Sequence, residues 1–307
     1  YKVKKLKSEY MVGAIAILCL VDMWQVNKRY LNDDMFVEES QRETPQQKTA
    51  TDEQILRDHS LDYRVLNLSS STFNENETSY YHKSIGGYHA AKLHRYQDMI
   101  DTYIAPEMQS LFKSAATAQG DMSKVNGDSI YPILNMLNTK YFIFPLQNNK
   151  TVPLQNPYAF GNAWMVDKVT YVDNANQEIN KLSKIDLHHE AVADSKFKEV
   201  LDTSKKQGAI SNKKIKKYEP NKLEYEVNTT SGGVLVFSEI YYPEWTATVD
   251  GVQVPIGRVN YILRAINIKP GTHKVELSFF PKSVDTTENI AYAAYAILVI
   301  AVLLIIF

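Results

Sequence analysis

The run Ile290–Phe307 (IAYAAYAILVIAVLLIIF) carries no charge and approaches the roughly 20 apolar residues that a bilayer-crossing helix needs. A chain holding such a run must place it in lipid or in a large core. Immediately before it lies a stretch of a different kind, Tyr241–Pro281. Trp245, Ala247 and Val249 alternate with Thr246, Thr248 and Asp250, the period of a half-buried strand. Asp250-Gly251 is the dipeptide that a tight hairpin favours, because both central residues of a type I′ turn need positive φ; Pro270-Gly271 marks a second reversal. Strands are therefore predicted to end at Val249, to restart at Val252, and to run over Tyr261–Ile268 and His273–Phe280.

The other end of the chain repeats the apolar theme. Lys2, Lys4, Lys5 and Lys7 precede Met11–Val21, which extends through Met23, Trp24 and Val26 if Asp22 is tolerated near the interface. A signal peptide would need a small-residue cleavage site, and a buried soluble helix would leave the lysine cluster unexplained. A membrane helix accounts for the lysines, facing the cytoplasm, and for Trp24 and Tyr30 as interfacial aromatics. With Tyr1 inside, roughly Asn27–Asn289 lies outside the cytoplasmic membrane and the last helix returns. A start at Tyr1 and a stop inside an apolar run fit a piece of a longer membrane protein. The net charge of −1 gives no reason to expect nucleic acid, and the single cysteine, Cys19, allows no internal disulfide.

The fold class expected is α+β: an extracytoplasmic mixed α/β region, then an antiparallel β-sandwich-like module, bracketed by transmembrane helices. The divisions are 1–26, 27–204, 205–289 and 290–307. Thr51 with Gln54 reads as a capping box opening a helix over Asp52–His59, and Tyr63–Leu68 reads as a strand. Ser69–Ser79 is a loop. Ser84–Gly87 leads into a longer helix with Leu93, Tyr96, Ile100 and Tyr103 on one face, kinked or ended by Pro106. A short helix from Ser129 turns Ile130, Ile133, Leu134 and Leu137 inward; Tyr141–Phe144 and Trp164–Val172 are strands, and Ala175 to Leu182 is helical. Lys205–Lys217 reads as a linker, followed by strands at Leu223–Val227 and Val234–Phe237.

Gly86-Gly87 stands just before that longer helix, whose first turns then carry His89, Lys92 and Arg95. Amides at a helix start attract anions and glycine lets a phosphate approach, so Gly86, Gly87, His89, Lys92 and Arg95 form a candidate phosphate or sugar-phosphate site. The competing reading is a turn with solvated cations. His188-His189-Glu190 invites a metal, but adjacent strand histidines point to opposite faces. Asp250, Arg258, Asn260 and Arg264 read as turn and cross-strand residues, and the tyrosines with Trp245 as core or as a sugar-stacking platform. No P-loop, HExxH or GxSxG occurs.

The blocks YYPEWTATVDG, RVNYILRAI and PGTHKVELSFFP ahead of a terminal apolar helix resemble the C-terminal end of the YfhO family of bacterial membrane proteins. DMWQVNKRYLN, SIGGYHAAKLHRYQD, LNMLNTKYFIF and NPYAFGNAWMVDKV extend the resemblance upstream. It implies a polytopic glycosyltransferase of the GT-C type in the cytoplasmic (inner) membrane, passing a sugar from a polyprenyl-phosphate carrier to a cell-envelope glycan. The resemblance puts the catalytic acid upstream of this segment, so no catalytic residue and no cofactor is expected in it; a divalent metal in the whole protein stays open. Expected partners are the lipid bilayer, the lipid-linked sugar and the glycan acceptor. The alternative is a non-catalytic, membrane-anchored envelope protein that binds a polysaccharide or a protein.

Overall fold

A computed structural model describes residues 7–36, 38–39, 46–201 and 210–306. They form two units, the described residues up to Gln47 and the chain from Lys48 onward. The first is dominated by the helix Ser8–Tyr30, ~35 Å long at 1.5 Å per residue and apolar enough to cross a bilayer. Its Leu18, Leu20 and Trp24 are exposed. Lys2, Lys4 and Lys5 lie outside the described residues.

The second unit opens with the helix Ala50–Ile55. Its capping box is Thr49 with Asp52, rather than Thr51 with Gln54: the Thr49 side chain accepts from Asp52 N, and Asp52 accepts from Thr49 N at 2.8 Å. Thr51 is instead buried, its hydroxyl held by Thr151. β1 (Arg64–Asn67) follows as expected. The next long helix begins at His94, well after the glycine pair, with Leu93 as its N-cap. It stays helical through Ile100–Ile104 and Ala105–Thr117, so of the two expected effects of Pro106, a kink or an end, the end does not occur. The Ile100–Ile104 turn is π-helical and ends one residue short of Pro106, which has no N–H to give.

Two short helices, Gly127–Ile130 and Pro132–Met136, replace the single one expected from Ser129. Glu107 caps the second, accepting from Ile133 N and Leu134 N at 2.9 Å each. Burial pushes its carboxyl up to about 8, against the pull of those two donors. The folded state therefore holds a proton that the unfolded chain releases above the ordinary carboxylate range. This stabilisation is complete below about pH 4.5 and is lost as pH rises through about 8. Urea midpoints between about pH 5 and about pH 9 are expected to fall more steeply for the wild type than for Glu107→Gln. Parallel slopes would contradict this origin.

The remaining strands are β2 (Thr139–Pro145), β3 (Thr151–Gln155), β4 (Ala163–Val166), β5 (Lys168–Val172), β6 (Glu190–Asp194), β7 (Ile210–Glu219), β8 (Lys222–Thr229) and β9 (Gly233–Ile240). β10 (Trp245–Val249), β11 (Val252–Val254), β12 (Gly257–Val259), β13 (Leu263–Ile268) and β14 (Gly271–Phe279) complete them. The expected Trp164–Val172 strand is divided at Asp167, and its two halves join different sheets. Between β5 and β6 lies the helix Ala175–Lys181, capped by the Asn174 side chain. Residues 210–217, read as linker, are an edge strand; residues 205–209 lie outside the described residues.

The sheets are mostly antiparallel. β1 pairs with β2 in parallel and β5 with β6 likewise; the two larger sheets run β11-β10-β14-β8-β7 and β12-β13-β9-β4. Asp250-Gly251 forms the two-residue hairpin loop, with φ 53° and 82°, between paired Val249 and Val252. The four-stranded sheet is covered on both faces. Leu235, Phe237, Ile266 and Ala163 meet Leu223, Tyr225, Val275 and Leu277 of the five-stranded sheet. Val234, Val236, Ala265 and Trp164 turn the other way, into the core of the upstream helices. Double coverage explains why Val234–Phe237 is a continuous apolar run rather than an alternation. Through β4 this sheet draws strands from both sides of residue 204.

The last helix spans Lys282–Ile306, eight residues earlier than its uncharged part, and is also long and apolar enough to cross a bilayer. Lys282, Asp285 and Glu288 occupy its first turns.

Candidate functional site

A cavity of about 340 Å³ opens where the loop after β1 meets the end of β9. Gly86, Gly87, His89 and Lys92 line it; Arg95 does not. Phe73, Leu93, Tyr96, Leu137 and Ile240 make its apolar wall, and Arg64 adds a guanidinium. The Tyr96 hydroxyl donates to Ile85 O at 2.6 Å, tying the first helical turn to the glycine loop.

The glycines serve the loop's own packing. Gly86 N donates to Ser84 Oγ at 3.0 Å, Gly87 N to Thr72 O at 2.7 Å, and Tyr88 N to Glu75 O at 3.0 Å. These amides are committed and offer no anion cradle. A Cβ at Gly86 would lie 1.9 Å from Thr72 O, so close approach of two backbones demands glycine there. Gly87 needs it for another reason, its φ of 115°.

Positive charge at the cavity comes from side chains. Lys92 Nζ lies 3.3 Å from Gln97 Oε1 and 5.5 Å from the centre of the Phe73 ring, and pairs with no carboxylate among the described residues. His89 Nδ1 accepts from Ala91 N at 3.0 Å, leaving its other ring nitrogen for solvent or ligand. Arg64 is occupied: it donates to Leu137 O at 2.9 Å and Ser238 O at 2.5 Å, and pairs with Glu239 at 3.2 Å. It stiffens the wall more than it offers charge.

Arg95 belongs to a buried knot. The fully buried Glu178 carboxylate accepts from Arg95 at 3.1 Å, Arg258 at 3.0 Å and Tyr261 N at 3.1 Å. Arg95 also stacks on the Tyr261 ring at 4.3 Å, and the Tyr261 hydroxyl donates to Asp98 at 2.6 Å. Asn260 and Tyr261 carry φ of 49° and 71°, and Asn260 exchanges hydrogen bonds with the backbone of Val192. A tyrosine in the left-handed region is strained, and the knot supplies the contacts that hold it.

The remaining residues take separate partners. His188 packs on the Phe160 ring at 3.7 Å, His189 Nδ1 lies 2.7 Å from Asp167, and Glu190 bonds Lys168 and Thr170. Asp250 accepts from Lys274 N and lies 2.6 Å from His273 Nδ1, which holds its carboxyl below the usual range. Arg264 stacks on Trp245 at 4.0 Å, making the module's tryptophan part of the inter-sheet packing.

Sequence reasoning missed Arg64, Phe73, Leu137 and Ile240 as cavity residues. They come from distant segments, and only Arg64 and Ile240 lie in strands, where alternation shows a face but not what it meets.

The route from the cavity to the last helix is short. From Ile240 the chain runs to Glu244, at most about 14 Å along four residues, and the Glu244 carboxylate accepts from Ser283 Oγ at 3.0 Å. Tyr242, Trp245 and Phe279 cluster beside it, with ring centres 5.9 Å and 5.5 Å from Phe279; Tyr242 and the adjoining Phe280 are exposed.

Residues 177–290 match the family model described as bacterial membrane protein YfhO. The matched stretch takes in Glu178, Arg258 and Tyr261 of the buried knot and the whole of β7–β14, and the upstream blocks that carried the resemblance lie outside it. No curated protein and no solved structure matches the chain.

Proposed function

We propose, taking the YfhO match over residues 177–290 as premise, that this chain is the extracytoplasmic C-terminal portion of a polytopic membrane glycosyltransferase. The donor is a sugar carried on polyprenyl phosphate and the acceptor a cell-envelope glycan. The observation that carries this reading is the position of the cavity, cation-rimmed and within four residues of the tether to the last apolar helix. An apolar wall beside Lys92 and His89 suits a carrier's phosphate together with the first part of its lipid chain. The exposed Tyr242 and Phe280 suit an interfacial belt that seats the β module on the bilayer. Bond making is assigned to upstream sequence, and the described residues bind and orient.

The test is sugar transfer by the full-length protein in membranes, with undecaprenyl phosphate bearing glucose or N-acetylglucosamine as donor. His89→Ala with Lys92→Ala is expected to raise the donor KM about tenfold while changing kcat less, as loss of ground-state binding does. Unchanged kinetics would remove both residues from donor binding. An inert wild type with either donor would favour the non-catalytic envelope protein.

A further inference from the structure

A second cavity, of about 520 Å³, shares Phe73 with the first. It is formed by the loop after β1 and one face of the helix Ala105–Thr117. Its floor is apolar, with Phe73, Met108 and Phe112. Phe112 is 41% exposed although its ring stacks on Phe144, with centres 4.9 Å apart and planes within 24°. One face of the ring is thus fixed by the protein, which holds the rest of it open at the surface.

The rim carries three neutral hydrogen-bonding side chains and one cation, Lys113. Ser71, Asn74 and Gln109 are exposed, and their side chains make no hydrogen bond among the described residues. The loop that bears two of them is nevertheless well anchored. Thr72 is buried and donates to Asn67 O at 2.6 Å, Gly87 N donates to Thr72 O, and Asn74 N to Ser71 O at 2.8 Å. A rigid loop therefore presents two uncommitted polar side chains beside an open phenyl ring.

We infer that this groove binds a short oligosaccharide, with one pyranose ring against Phe112 and its hydroxyls on Ser71, Asn74, Gln109 and Lys113. A pyranose has an apolar C–H face and a rim of hydroxyls that both donate and accept, which matches an aromatic floor edged by hydroxyl and amide groups. The volume falls within the range of small-molecule sites. Among the described residues lining the groove Lys113 alone is charged, whereas the neighbouring cavity has both Arg64 and Lys92. Phe73 is common to both, so the two cavities are neighbours. This inference does not depend on transfer, because a non-catalytic envelope protein would use the groove in the same way.

The test is saturation-transfer NMR on the full chain in lipid nanodiscs, where no sugar-headed detergent competes. The probes are maltotetraose, cellotetraose and chitotetraose. At least one is expected to bind saturably, Phe112→Ala to weaken it about tenfold or more, and Phe112→Trp to retain it. The inference is overturned if none of the three binds, or if Phe112→Ala binds as the wild type does. His89→Ala with Lys92→Ala should leave this binding unchanged, which separates failure here from failure of the donor site.

Discussion

Replacing Glu178 by alanine is expected to cost about 3–5 kcal/mol, the usual loss when one partner of a buried ion pair is removed. The carboxylate is fully buried and meets two guanidinium groups and one backbone N–H. Without it Arg258, itself buried, keeps Asp194 at 3.9 Å as its carboxylate among the described residues, and the Tyr261 amide is left unpaired in a strained conformation. Three elements would lose their common anchor: the helix Ala175–Lys181, the loop between β12 and β13, and the first turn of the helix at His94. Thermal unfolding of the full chain in detergent, compared with Glu178→Leu combined with Arg258→Met, checks the account. The double variant should recover much of the loss, since hydrophobic replacement of a buried pair is often neutral. A loss below about 1 kcal/mol for Glu178→Ala would show that the knot contributes little net stability.

The second large effect concerns the candidate site itself. Gly86→Ala places a methyl group 1.9 Å from the Thr72 carbonyl oxygen, a contact that no rotamer relieves because the backbone fixes the Cβ position and the oxygen is itself backbone. The loop must move, at an expected cost of about 1–3 kcal/mol or more. Gly87 N would also lose its bond to Thr72 O as the two strands of loop separate. Because Gly86 lines the first cavity and Thr72 the second, both should change shape. Stability measured without any ligand decides between packing and ligand approach as the reason for this glycine. A variant as stable as the wild type would return Gly86 to the role of a phosphate-approach residue.

Several features were legible locally because they depend on neighbouring residues alone. Asp250-Gly251 turns as expected, since its dihedral requirement is a property of two residues. The alternation at Trp245–Val249 correctly put Ala247 inside and Thr246 outside. The helix start was misplaced for the opposite reason. Ala90 and Ala91 favour helix, and His89, Lys92 and Arg95 recur at helical spacing, yet residues 88–93 are not helical. The loop is committed elsewhere: Gly87 adopts a positive φ, Thr72 holds its backbone, and Tyr96 ties the true first turn to Ile85. Long-range contacts outweighed a propensity worth a few tenths of a kcal/mol per residue.

The same division runs through the whole chain. Two apolar runs, the hairpin dipeptides and the period-two stretches settled by themselves that this protein has membrane-length helices and an antiparallel β module, because hydrophobic burial and turn geometry act over a few residues. Tertiary structure alone decided that β9 is buried on both faces, that residues 210–217 are strand rather than linker, and that Arg95 faces Glu178 while Lys92 faces a cavity. Each of these turns on which distant surface a side chain meets, and residue spacing holds no record of that partner.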